Sequence, residues 1–178
     1  MRTKAGYVSM ALAVVLTAAL PALALSNFAD FPSSIPRIDN GRVWAIAHGA
    51  THVYVGGTFT SVNSGTPRAG VAAFNATTGE LDPNWDPQIG NGGSTVEVQA
   101  IAVADGKVYL GGRFETANNG TLNRRKLMAV SEADGSSADV VDLQWSPMIG
   151  NTLGNIVYAL CVSGNRVYVG GVFNEVLN

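Results

Sequence analysis

Three stretches of the chain align with one another without a gap, and this repetition restricts the possible folds more than any other feature. The first is Val43-Trp44-Ala45-Ile46-Ala47, a five-residue spacer, then Val53-Tyr54-Val55-Gly56-Gly57-Thr58-Phe59. The second is Val98-Gln99-Ala100-Ile101-Ala102, the spacer, then Val108-Tyr109-Leu110-Gly111-Gly112-Arg113-Phe114. The third is Val157-Tyr158-Ala159-Leu160-Cys161, the spacer, then Val167-Tyr168-Val169-Gly170-Gly171-Val172-Phe173. Gly56, Gly111 and Gly170 are spaced by 55 and then 59 residues, and Trp85 and Trp145 by 60. Units that repeat at this length fold alike and bury their apolar surface mainly against their neighbours.

Each unit divides into four short apolar pieces. In the first they are Val43 to Ala47, Val53 to Phe59, Val71 to Phe74 and a region around Trp85. In the second they are Val98 to Val103, Val108 to Phe114, Leu127 to Val130 and a region around Trp145. Val, Ile, Tyr and Phe punctuated by Gly, Asn, Asp and Pro make a strand signature. Asp105-Gly106 and Gly164-Asn165 predict two-residue hairpin turns. Ala76-Thr77-Thr78-Gly79 and Ala133-Asp134-Gly135 predict the turns after the third pieces. The mature chain shows no helical apolar period, so the class is all-β. Alternation along the first strand sends Val43, Ala45 and Ala47 one way and Trp44 and Ile46 the other. Both faces are apolar, so both require cover. Face-to-face packing of successive four-stranded antiparallel sheets supplies it, which predicts a β-propeller. The units are expected at 41–96 and 97–154, with a truncated third at 155–178. Residues 25–40 are an N-terminal segment able to add an outer closing strand, aligned by placing Pro32 before Ile46 as Pro87 stands before Ile101.

Glycine pairs inside strands mark a bulge or a close backbone approach. Packing accounts for them, with Phe59, Phe114 and Phe173 filling the space that the glycines leave. No helix and no Lys-Ser or Lys-Thr follows, so they are not a phosphate loop.

Arg2 and Lys4 precede an uncharged run to Leu25 that ends in Pro21-Ala22-Leu23-Ala24. This predicts a signal peptide over 1–24 with cleavage after Ala24, and therefore a secreted or cell-surface protein with no remaining membrane span. Cys161 has no partner for a disulfide and is expected to be a small buried hydrophobe. Charged residues make up only 13% of the chain, with a net charge of −2. Such a chain is not basic enough for a general nucleic-acid binder.

Val-Tyr-Val-Gly-Gly-x-Phe is followed by Asn63-Ser64-Gly65-Thr66, Arg68, Val71-Ala72-Ala73-Phe74, Thr78-Gly79 and Trp85-Asp86-Pro87. In the second unit Asn118-Asn119-Gly120-Thr121, Arg124, Leu127-Met128-Ala129-Val130, Asp134-Gly135 and Trp145-Ser146-Pro147 follow in the same order. This pattern resembles the bacterial delta-60 repeat of secreted β-propellers. It is also similar to the kelch repeat and to the propeller of fungal cortical polarity-marker proteins. The resemblance implies a fold and an extracellular location in a bacterium, but no reaction.

The chain carries few residues in chemically active patterns. His52 is replaced by Lys107 and Arg166 in the other units, which predicts a solvated strand-start position. There is no zinc motif and no nucleophile elbow. Asp82 and Asp142 each stand three residues before a Trp; the acidic loop of Asp134, Asp139 and Asp142 is expected to serve turns or strand ends, with a weak Ca²⁺ site as the alternative. No other cofactor is implied. Arg68 and Arg124 are expected to pair with a neighbouring blade, with a basic ligand face as the alternative. The expected function is a secreted scaffold or binding module for an extracellular protein or carbohydrate. The propeller part of a carbohydrate-active or oxidative enzyme is the alternative. About two and a half blades fall short of the roughly four to eight of a closed ring. The chain is therefore expected to be a piece of a longer protein or to associate with copies of itself.

Overall fold

The computed structural model describes residues 34–132, 145–150 and 154–177. The predicted signal peptide (1–24), Pro32, and the acidic positions Asp134, Asp139 and Asp142 lie outside them. Three antiparallel sheets follow one another in chain order. The first has the order β1 (Val43–His48), β2 (His52–Gly57), β5 (Val71–Asn75). The second is β6 (Glu97–Ala104), β7 (Lys107–Arg113), β10 (Leu127–Ser131). The third pairs β12 (Ile156–Ser163) with β13 (Arg166–Val172). Short hairpins β3 (Ser61–Val62) with β4 (Thr66–Pro67), and β8 (Thr116–Ala117) with β9 (Leu122–Asn123), follow the glycine pairs. The remaining two strands, β11 (Met148–Ile149) and β14 (Val176–Leu177), pair with each other. The described residues are thus all-β, and the protein is an incomplete β-propeller.

The predicted turns form for the expected reasons. Asp105 and Gly106 both take positive φ, 51° and 70°, as a tight right-twisted hairpin requires. After β5, Asn75 Oδ1 accepts from the amides of Thr77 and Thr78, both at 2.9 Å, and Gly79 closes the turn. The fourth piece of the first unit departs from a full strand. It contributes one bridge, Phe74 to Leu81, and Trp85 lies in irregular chain. Pro83 and Pro87 flank it, and a proline cannot donate to a sheet ladder. Within the described part of the N-terminal segment, Ile38 bridges Val62. Pro36-Arg37-Ile38 there matches Pro87-Gln88-Ile89, whose neighbour Gly90 bridges Thr116.

The first strands carry a bulge that the simple alternation misses. Register slips between Val43 and Ala45, between Val98 and Ala100, and between Val157 and Ala159. The extra residue lets Val43 share a face with Ile46, opposite to the prediction. One face of the first sheet then carries Ala45, Ala47, Tyr54, Gly56, Val71 and Ala73, the glycine face. The other carries Val43, Ile46, Val53, Val55, Ala72 and Phe74, the valine face. Second-sheet residues Val98, Ile101, Val108, Leu110, Met128 and Val130 form its valine face, and they share one core with Tyr54, Val71, Ala73 and Trp85. Leu127 of the second sheet packs in the same way with Val157, Leu160 and Val169 of the third.

Each glycine of the pair has its own task. A β-carbon on Gly56 would stand 2.8 Å from Val98 Cγ1 and 3.0 Å from Ile101 Cδ1. On Gly111 it would stand 2.5 Å from Val157 Cγ1 and 3.2 Å from Leu160 Cδ1. The first glycine is therefore a hole for two aliphatic knobs of the next sheet, and not for the phenylalanine. The second glycine faces the bulge: β-carbons on Gly57 and Gly112 would collide with the carbonyls of Arg42 and Glu97. Phe59 Cδ1 would stand 3.2 Å from a β-carbon on Gly57, so the phenylalanine flanks the second glycine of its pair. The third sheet turns its glycine face to solvent, which exposes Cys161 and corrects its expected burial. Gly111→Ala should cost about 1–3 kcal/mol by overpacking. Gly170→Ala, where no neighbouring sheet is met, should change stability by less than about 0.5 kcal/mol. Urea denaturation of both variants at low protein concentration checks the contrast.

Candidate functional site

The recurring polar residues are spent on the scaffold. Arg68 is 7% exposed. It donates to the carbonyls of Pro67 at 2.9 Å, Asp82 at 3.1 Å and Pro83 at 3.3 Å, and it faces Asp86 at 3.4 Å. All four belong to its own unit, so it braces the loop that carries Trp85 instead of reaching a neighbouring blade. Arg124 is equally buried and donates to Asn123 O at 2.9 Å. Burial of both guanidiniums counts against an open basic ligand face. Trp85 joins units: its ring lies 4.9 Å from that of Tyr54, and Nε1 donates to Ser131 O of the second sheet at 2.9 Å. Tyr109 and Trp145 repeat the ring contact at 5.0 Å.

His52 is buried, not solvated. Its Nε2 stands 3.4 Å from Asp82 Oδ2, and its Nδ1 2.9 Å from Thr51 Oγ1. The other Asp82 oxygen accepts from the amides of Asn84 at 2.8 Å and Trp85 at 3.3 Å. The sequence separates His52 and Asp82 by a whole hairpin, and only the pairing of β2 with β5 brings them together. Lys107 and Arg166 conceal this, because the other units carry a cation where the first has a histidine. Thr51, His52 and Asp82 have the connectivity of a nucleophile, a base and an orienting acid.

Among the described residues, the largest concentration of paired charge lines a cleft of about 410 Å³ built mainly by the second unit, with Asn91, Ser94 and Thr95 ahead of it and Asn155 behind. Glu97 and Arg113 face each other at 3.1 Å, and Lys126 Nζ meets Glu115 Oε1 at 2.6 Å. Asn91, Ser94, Thr95 and Asn155 complete its polar walls. Lys126 is only 3% exposed and takes a φ of 63°. Its counterpart in the first unit is Gly70, at φ 71°. A lysine held in the left-handed region where the repeat supplies glycine is strained, and such strain gathers at functional sites. Among the described residues no group of three His, Cys, Asp or Glu side chains is placed to hold a metal.

A family model described as a beta-propeller domain of unknown function (DUF5122) matches residues 52–84. That stretch runs from the start of β2 to the residue before Trp85, most of one unit. No curated protein and no solved structure matches the chain. Sheets and match together define a β-propeller repeat protein, and the family carries no assigned activity.

Asp39 supplies a pH-dependent fastening outside the cleft. Its carboxylate accepts from the amides of Ser64 at 3.0 Å and Gly65 at 2.8 Å, residues that themselves take positive φ. Desolvation acts to raise its pKa, but those two amides, the Ser61 hydroxyl and Arg37 outweigh it and hold the carboxyl below 3.8. A depressed folded-state pKa stabilises above the unfolded value and is lost as pH falls through the folded one. Asp39→Asn should therefore lower stability at neutral pH and flatten its decline below about pH 4. Thermal melts from pH 7 to pH 2 measure this. Arg68→Ala should cost about 3 kcal/mol by leaving Asp86 and the loop carbonyls unmet, read by the same melts.

Proposed function

We propose that the protein is a secreted or cell-surface binding module whose propeller acts as a scaffold, with the Glu97–Lys126 cleft as its ligand contact. The observation that carries the reading is where the repeat breaks its own pattern. Glu97 replaces Arg42, Arg113 replaces Thr58, Glu115 replaces Thr60 and Lys126 replaces Gly70. The residues that recur pack sheets, while these four departures line one opening. Their charges are paired within the cleft, so the ligand that suits them is a neutral, hydroxyl-rich one such as a carbohydrate. Such a ligand exchanges hydrogen bonds with both carboxylates and cations. The delta-60 pattern supports the finer family and the extracellular, bacterial setting. Completion of the ring would come from further repeats of a longer protein or from further copies.

Lys126→Gly restores the residue that the first unit uses and relieves the strained φ. Glu115 keeps Arg125 at 3.5 Å, so the variant should stay folded, and it should bind at least about 10-fold more weakly, as loss of a charged hydrogen bond implies. Isothermal titration with a panel of neutral oligosaccharides measures it. No binding by the parent, or equal binding by the variant, would sink the assignment. The second reading, part of a secreted hydrolase, rests on Thr51, His52 and Asp82. It requires turnover of an activated ester that His52→Ala abolishes, and turnover that survives this substitution would remove it.

A further inference from the structure

The interface between sheets occurs twice in the molecule with the same parts. Gly56 receives Val98 and Ile101, and Gly111 receives Val157 and Leu160. In the opposite direction Tyr54, fully buried, enters the groove formed by Val108, Leu110, Met128 and Val130. Each contact joins the glycine face of one unit to the valine face of the next. The interface is therefore directional, and a stack of such units presents one unused face of each kind.

Both unused faces retain the parts: the knobs of one and the tyrosine of the other are exposed, while Val55 and Phe74 form the floor of the first sheet's face. On the third sheet the nearest atom to a β-carbon at Gly170 is Ala159 Cβ of its own sheet, at 3.6 Å, so the hole is open. Tyr168, the counterpart of Tyr54, is 52% exposed. On the first sheet Val43 and Ile46, the counterparts of the two knobs, are 41% and 67% exposed. Beside them Val53, Val55 and Phe74 line an apolar groove of about 390 Å³, the counterpart of the groove that Tyr54 fills.

We propose that a second copy of the chain occupies these faces head to tail. Val43 and Ile46 of one copy seat over Gly170 of the other, and Tyr168 of that copy enters the Val53–Phe74 groove. The occupant is chosen by continuity: the contact is the one already made twice within the chain, and a second copy carries both halves. The pairing is heterologous, so it closes into a ring if the rotation between units permits and extends otherwise. It is independent of the ligand assigned to the cleft.

Two substitutions on opposite faces test this. Gly170→Gln fills the hole at a position with ordinary φ and open space, and leaves the valine face intact. Ile46→Glu places a charge at an exposed knob and leaves the glycine face intact. Each should weaken association by about 100-fold or more, as burying an unpaired charge or closing the hole implies. Sedimentation velocity on the purified protein should show the parent as an oligomer and each variant as a monomer. An equimolar mixture of the variants should form a 1:1 dimer and nothing larger, because one intact pair of faces remains. That outcome separates head-to-tail docking from face-to-face association, in which like faces meet. A parent that stays monomeric at about 100 µM, variants that associate like the parent, or a mixture that stays monomeric would each overturn the proposal. Circular dichroism confirms that the variants are folded. Tyr168→Glu and Val43→Lys, on the same two faces, replace either variant that is not.

Discussion

The absence of a β-carbon at Gly56 and Gly111 sets the distance between neighbouring sheets, and most of the architecture follows from it. The branched side chains of Val98 and Val157 reach the backbone of the preceding sheet only because nothing projects there. That approach seals Tyr54 and Leu110, both fully buried, between the sheets. The second glycine of each pair makes the first possible. It admits the bulge opposite, and the bulge rotates Val43, Val98 and Val157 onto the same face as Ile46, Ile101 and Leu160. Without the slip Val43, Val98 and Val157 would fall on the glycine face, and each hole would meet one knob instead of two.

Polar residues divide by whether they recur. Arg68 and Trp85 recur as Arg124 and Trp145, and in the first unit they hold the closing loop and link it to Ser131. Such groups are buried because each hydrogen bond they make offsets the desolvation of the loop carbonyls they meet. Lys126, Glu115, Arg113 and Glu97 do not recur, and they meet at one opening. A repeat that keeps its packing residues and varies its cleft residues can alter a binding surface without altering its fold.

Much of the fold was legible in the sequence because packing between like units imposes like residues. The strands, the Asp105-Gly106 turn and the presence of a bulge or close approach at the glycines all follow from local chemistry. The site was less legible. Arg68 reads as a partner for a neighbouring blade until the irregular loop around Trp85, in its own unit, is seen to wrap it. His52 reads as solvated because Lys107 and Arg166 stand in its place, yet β2 and β5 carry it to Asp82. Cys161 sits in an apolar run and reads as buried, and the open glycine face of the third sheet leaves it exposed. Each case depends on a contact between residues far apart in the chain, which no local pattern encodes.

By itself the sequence determined that the chain is all-β, that its units are alike and that each needs cover on two faces. Periodic apolar residues and turn glycines are local properties, and they suffice for this. Only the tertiary structure decided which face meets which, because a single bulged residue reverses the side on which Val43 lies. It alone also showed that the holes and knobs belong to different ends of the stack. Direction arises from the three-dimensional offset between sheets, and a repeated sequence reads the same whichever of its faces is presented first.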